Sequence, residues 1–296
     1  MLAAELAGKI TGANPPHDRM EDVLTSNVLS SFRYLNNLVI VKEFLKRAAR
    51  INGKVLELDE LVEFEAYFWP QFRFSHTGHR QPDAVLFAID SKGNTIAFIV
   101  EAKLDSGLHN ADNAQSREDS DEKFTLGHQL ADQFCGLRCG IWRNAEITEK
   151  LDRADKKYLI YLTAHYSCPQ QDMETAISEI YDRNKSKGCA ADKCHDAEDW
   201  LLWLSWQDLY VVLERTRKEG YSGYSRGERA LLLDLEKVLG RKELMPLALW
   251  ENSLREVTYY EGNYDGEQPS AQVEPEIDFL HTASLHRIPR YQRNYA

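Results

Sequence analysis

Two apolar runs, Ala84–Ile89 and Thr95–Val100, are joined by the short polar segment Asp90-Ser-Lys-Gly-Asn94. Runs of that length cannot span a bilayer, and a turn-rich joint between them predicts a β-hairpin. Their nearly continuous apolar character predicts strands buried on both faces, so the hairpin belongs inside a larger sheet covered by helices. Asp90 at the first turn position and Gly93 at the fourth fit a type I turn closed by a G1 bulge, with a three-residue loop. That loop length sets the register. It places Asp83 opposite Glu101, whereas a two- or four-residue loop would place Asp83 opposite Ala102 and on the wrong face.

The flanking sequence predicts the rest of an α/β chain. Leu24, Val28, Phe32 and Leu35 make an apolar face within a helical pattern from about Met20 to Ala49. Asn52-Gly53 stops it. Phe64–Trp69 reads as a strand ended by Pro70. A helix is expected near Thr125–Cys139, a strand at Tyr158–Thr163 and a helix at Met173–Tyr181. Trp200–Trp206 reads as a strand, and Gln207–Arg217 and Arg226–Leu239 as helices. The segmentation is a lead-in at 1–19, a core at 20–166, an α/β extension packed on it at 167–250, and a C-terminal segment at 251–296. Residues 104–123 are polar and acidic and read as a long exposed loop.

With 296 residues, 43% apolar and 28% charged, the composition is that of a globular protein large enough to need no disulfide or structural metal. No secretory signal is apparent, because Glu5 and Lys9 interrupt the first apolar stretch; a soluble, cytoplasmic protein with no membrane segment is expected. The formal net charge of −11 excludes a protein that coats nucleic acid through bulk positive charge, but not an enzyme acting on it through a local site. Acid is concentrated in 104–123 and 251–278, and either segment could act as a brake by occupying a cleft in place of phosphate. The last 18 residues hold Arg287, Arg290 and Arg293 and no acid.

Chemistry is expected at the hairpin's open end, where Pro82-Asp83 begins one strand and Glu101-Ala102-Lys103 ends the other. Residues i and i+2 of a strand share a face, so Glu101 and Lys103 project together. Ala102 points away and offers its backbone carbonyl. Two carboxylates and a carbonyl form a hard oxygen site suited to Mg²⁺ or Mn²⁺. The Lys103 ammonium can position water and offset charge on a phosphoryl transition state. Three other acid-x-Lys triplets, Asp90-x-Lys92, Asp121-x-Lys123 and Asp155-x-Lys157, lack this setting. The plain alternative is a turn aspartate and an exposed strand-end pair.

Pro-Asp, a hairpin and Glu-x-Lys resemble the PD-(D/E)xK phosphodiesterase superfamily, the restriction-endonuclease-like nucleases, over roughly residues 20–165. The resemblance implies an α/β restriction-endonuclease-like core (αβββαβ), with a mixed sheet flanked by helices and additional C-terminal helices. It implies metal-dependent cleavage of nucleic acid, DNA ahead of RNA, in a setting such as prokaryotic anti-phage defence or restriction. Asp83 and Glu101 would hold the metal with the Ala102 carbonyl, and Lys103 would be catalytic.

Members often place an acid on the first helix. Glu21 fits, sharing a face with Leu24, Val28 and Phe32; otherwise it is a carboxylate favoured at a helix N-terminus. Members also often carry a glutamine on the helix after the lysine strand. Gln129 is the expected one, or else a solvated flank, and Gln133 follows where one branch has tyrosine.

Arg73, Arg80 and His79 precede Asp83 and could contact phosphate, or form a solvated loop with His76. A second reading is a nuclease-fold subunit serving as a nucleic-acid-binding or assembly module for a protein partner or a second copy. A third is a zinc protein using Cys135, Cys139, Cys189, Cys194 and His195. Neither cysteine pair has the spacing common in structural zinc sites, and packing is the expected role. Trp200, Trp203 and Trp206 are read as core rather than base-stacking residues.

Overall fold

A computed structural model describes residues 18–73, 79–104, 126–187 and 196–246. The chain divides into Met1–Asn252 and Ser253–Ala296, and every described residue lies in the first unit. The acidic segments, the arginine-rich C-terminus, His76, Cys189, Cys194 and His195 lie outside the described residues, as does nearly all of the 1–19 lead-in.

The hairpin is present. β4 (Ala84–Asp90) and β5 (Thr95–Lys103) pair antiparallel from Ala84↔Val100 to Ile89↔Thr95. The Gly93 N–H donates to the Asp90 carbonyl at 2.9 Å and Gly93 has φ +85°, the left-handed conformation expected of a G1 bulge. The Asp90 carboxylate accepts from the backbone N–H of Lys92 and Asn94. Both strands are buried almost throughout, as their apolar runs require.

Around the hairpin lies a five-stranded mixed sheet in the order β1-β4-β5-β7-β8, flanked by helices. β1 (Leu61–Phe68) pairs antiparallel with β4; β7 (Lys156–Thr163) and β8 (Leu201–Ser205) run parallel to β5. One face packs against α1 (Asp18–Phe32), α2 (Val39–Leu45), α7 (Trp206–Lys218) and α8 (Arg226–Arg241), through residues such as Leu24, Phe44, Phe98, Val100, Leu209 and Leu232. The other face packs against α3 (Leu126–Cys139), α4 (Ala145–Arg153) and α5 (Gln170–Lys187), through Val85, Ile99, Phe134, Ile147, Leu159 and Ile180. Burying each such side chain contributes about 1.5–3 kcal/mol.

Several elements depart from the sequence reading. The helical pattern over 20–49 is two helices, because the chain turns at Arg33–Leu38. There the Glu228 carboxylate accepts from the N–H groups of Asn36, at 2.7 Å, and Asn37, at 3.3 Å, and the Asn37 side chain caps Val39 N–H. Trp200–Trp206 is a strand only over Leu201–Ser205. Trp200 ends the short helix α6 (Ala197–Trp200), and a Ser205/Asp208 capping box makes Trp206 the first residue of α7. Trp206 is buried in the core, and Trp203 donates to Thr163 Oγ1 at 2.9 Å.

The 167–250 segment does not merely pack on a finished sheet, since β8 supplies its fifth strand. Two features stand outside the sequence reading. One is α4, although Asn144 caps it and Ile147 and Leu151 are spaced one turn apart. The other is a separate three-stranded ribbon in the order β3-β2-β6, made of β2 (Phe72–Arg73), β3 (His79–Arg80) and β6 (Ile141–Trp142). Cys135 is buried and in no disulfide, in keeping with a packing role. Among the described residues no helix is long and apolar enough to cross a membrane.

Candidate functional site

The ladder of β4 and β5 ends at Ala84↔Val100, so the next pair is Asp83 with Glu101. In the same way Phe68↔Ala84 leads to Trp69 beside Asp83, where the Trp69 N–H donates to the Asp83 carbonyl at 3.1 Å. Glu101 pairs with Tyr161 and Tyr161 with Trp203. Asp83, Glu101, Tyr161 and Trp203 therefore follow one another in a row across the sheet, on the face covered by α3, with the Trp69 backbone beside Asp83 at the β1 end.

Four side chains meet at the C-terminal end of β5. Lys103 Nζ lies 2.7 Å from Glu101 Oε1 and 3.3 Å from Glu21 Oε1. Asp83 Oδ2 accepts from the Ala102 N–H at 2.8 Å, and Glu21 Oε2 from the Leu104 N–H at 2.7 Å. Glu21 arrives from α1, on the opposite side of the sheet, and reaches Lys103 because β5 ends there. In an extended strand a residue's N–H and C=O point to one side, so the Ala102 carbonyl shares the edge on which Asp83 lies.

Glu101 is 1% exposed and both its oxygens are engaged. Gln129 Nε2 donates to Oε1 and Gln133 Nε2 to Oε2. Gln129 is thus where the sequence reading places it, and Gln133 is a partner that reading does not assign. The two are one helical turn apart, which presents both amides to one carboxylate. Asp22, next to Glu21, instead accepts from Trp69 Nε1 at 3.2 Å.

The electrostatics follow from three carboxylates sharing one ammonium. Burial, then repulsion from Glu101, pushes the Asp83 carboxyl well above its ordinary range. Burial also raises Glu21, against the pull of Lys103 and the Leu104 N–H. Burial works to discharge Lys103, yet Glu101, Glu21 and Asp83 outweigh it and hold the ammonium firmly charged. Burial raises the Tyr161 hydroxyl, which donates to Asp172 at 3.3 Å.

Among the described residues, no group of three or more His, Cys, Asp or Glu side chains stands arranged to ligate a metal ion. Lys103 is the counter-ion in the arrangement observed. In its chemistry the donor set still fits a hard cation. Carboxyl groups outnumber the single ammonium three to one, the Ala102 carbonyl lies on the same edge, and the buried Gln133 Oε1 has no hydrogen-bond partner. Taking up a cation requires Lys103 to yield its place on Glu101.

Of the other residues expected to act, Arg80 Nε is 2.7 Å from Asp132 on α3, Arg73 is exposed on β2, and the His79 side chain lies outside the described residues.

Fold and site together define an α/β protein with a helix-flanked five-stranded mixed sheet and, at the end of its central hairpin, a cluster of three carboxylates and a lysine in which Glu101 is buried and the others half-buried. No family model, curated protein or solved structure matches the chain.

Proposed function

We propose that this protein is a divalent-cation-dependent nuclease with a PD-(D/E)xK core, hydrolysing phosphodiester bonds of nucleic acid, DNA ahead of RNA. The observation that carries the reading is the convergence of Asp83, Glu101, Lys103 and Glu21 at one strand end, from the hairpin and the first helix. A salt bridge built only for stability would not gather three acids around one lysine, because burying unpaired charge costs several kcal/mol per ion.

In this reading Asp83, Glu101 and the Ala102 carbonyl hold Mg²⁺ or Mn²⁺, which supplies positive charge for the phosphoryl oxygens. Lys103 Nζ hydrogen-bonds the attacking water and offsets charge as the water oxygen bonds to phosphorus and the P–O bond to the leaving group breaks, the water giving its proton to solvent and the leaving oxygen taking one from it. Gln129 and Gln133 fix the Glu101 carboxylate. Glu21 holds Lys103 and, through the Leu104 N–H, the end of β5. Tyr161, buried beside Glu101 on β7, keeps bulk water from that side.

The test incubates purified protein with linear and circular DNA, single strands and RNA, in Mg²⁺, Mn²⁺ or EDTA. Wild type is expected to cleave only with a divalent cation, and Glu101→Ala and Lys103→Ala are expected to lose at least a hundredfold in rate. Cleavage equal in wild type and variants rejects the mechanism. Binding without cleavage under every condition would favour a nucleic-acid-binding module instead.

A further inference from the structure

We propose that the groove between the ends of β1 and β6 is a docking track for the phosphodiester backbone, centred on Arg143 and Arg73. It rests on the nuclease reading and adds how substrate reaches that site. Two hollows of about 350 Å³ each share Gln71 and Arg143. One runs from Tyr67 and Trp69 to Arg143, the other from Arg143 to Arg73 across the ribbon.

Charge selects the occupant. The chain carries a formal −11, yet neither hollow is lined by any Asp or Glu. Their two cations, Arg73 and Arg143, are both exposed and in no ion pair among the described residues. Arg143 is held in place without being neutralised: its N–H donates to the Gln71 carbonyl at 2.9 Å and its Nη1 to Gln71 Oε1 at 3.2 Å. The carboxylates beside Tyr67, Glu65 and Glu146, are both occupied by Lys150. Arg143 also borders a third hollow along α4, whose far side carries Glu149 and Asp152 with Arg153, and Arg153 pairs with Glu149. An acid-free surface with two unneutralised guanidiniums suits a repeating anion.

Position ties the groove to the chemistry. Trp69, at its inner end, donates its N–H to the Asp83 carbonyl, and Gln81 Nε2 donates to the Trp69 carbonyl at 2.7 Å. Trp69 keeps φ +50°, a conformation few non-glycine residues adopt, and these bonds together with Asp22 hold it there. The groove therefore ends on the residue beside the proposed metal ligand. Trp69 and Trp142 are each only 6% exposed, so the surface offers guanidiniums rather than stacking faces. Contact is with phosphate, without base readout.

The test measures binding of fluorescein-labelled single-stranded DNA, duplex DNA and RNA by anisotropy, in EDTA to prevent cleavage, across a salt series. Deleting one phosphate-binding cation should reduce the slope of log K against log salt by about 1. Arg73→Ala/Arg143→Ala is expected to lower that slope by about 2 for whichever nucleic acid wild type binds. Arg153→Ala, on an arginine paired with Glu149 in the acidic hollow, serves as control and is expected to leave the slope unchanged. If wild type binds and cleaves while the double variant keeps the wild-type slope and affinity, the track is overturned and the nuclease reading survives. If wild type neither binds nor cleaves any of the nucleic acids, both fall.

Discussion

At the residue scale the site is a problem of charge. Asp83 and Glu21 hold their protons to higher pH folded than unfolded, so this contribution to stability is fully present below about pH 4 and is lost as pH rises through the folded values. Asp83→Asn removes the loss at Asp83. Thermal melts in EDTA should show Asp83→Asn gaining on wild type as pH is raised above about 4, the gain levelling off once Asp83 is ionised in the folded state. Millimolar Mg²⁺ should recover stability in wild type at neutral pH and leave the variant nearly unmoved. A constant difference between the two proteins at all pH values would contradict this account.

What the sequence could disclose at this scale was set by local geometry. Asp83, Glu101 and Lys103 followed from strand alternation and from a turn whose type Asp90 and Gly93 dictate. Gln133 did not, because nothing local says that a glutamine beside an apolar helix face will be buried against a carboxylate 32 residues earlier. Arg143 escapes for a related reason: it follows a strand of two residues, too short to leave a period.

At the scale of elements, position depends on partners far apart in the chain. Glu228 closes the capping box of α8 with Ser225 and also ties down the turn between α1 and α2, 192 residues away. Hydrogen bonds from the Ser225 hydroxyl and N–H, then from Asn36 and Asn37, outweigh burial and hold its carboxyl down at about 2. A depressed value reverses the sign argued for Asp83. The stability Glu228 contributes is present above about pH 4.5 and disappears as pH falls toward 2. Glu228→Gln should cost about 1–3 kcal/mol at neutral pH, and chemical denaturation should find it converging with wild type in acid. A gap that widened in acid would count against the assignment.

This long-range tie is why the helical pattern over 20–49 could be read and its break could not. Leu24, Val28 and Phe32 keep helical spacing whether or not a turn follows. The turn is chosen by a carboxylate from the far end of the fold. The glycine Gly136 has a similar hidden role: a Cβ there would sit 2.2 Å from the Phe72 ring, so only glycine lets α3, with Gln129 and Gln133, pack this close to the ribbon.

At the scale of the whole molecule, the excess of acid is unevenly spread. The described surface keeps an acid-free groove beside the site, so the chain's sign says little about what that groove attracts. A second feature acts on the molecule as a whole. The backbone of Ala49 exchanges two hydrogen bonds with Trp203 of β8, each 2.8 Å long, and Ala49 also bridges to Val55. Ala49→Pro deletes one of those donors at a cost of about 1 kcal/mol. The variant is expected to show concentration-dependent association on gel filtration under conditions where wild type elutes unchanged. Equal elution of the two at high concentration would refute that role.

The reason lies in how open sheets grow. An outer strand with bare N–H and C=O groups can recruit a strand from another molecule, and repetition of that event makes fibrils. On the β8 side, Ala49 occupies the groups an incoming strand would need. On the β1 side, an irregularity between Leu61 and Glu63 breaks the register, and the exposed acid Glu63 places like charges near where two copies would meet. The sheet is thus closed to self-templating at both margins, one by a backbone plug and the other by a kink and charge.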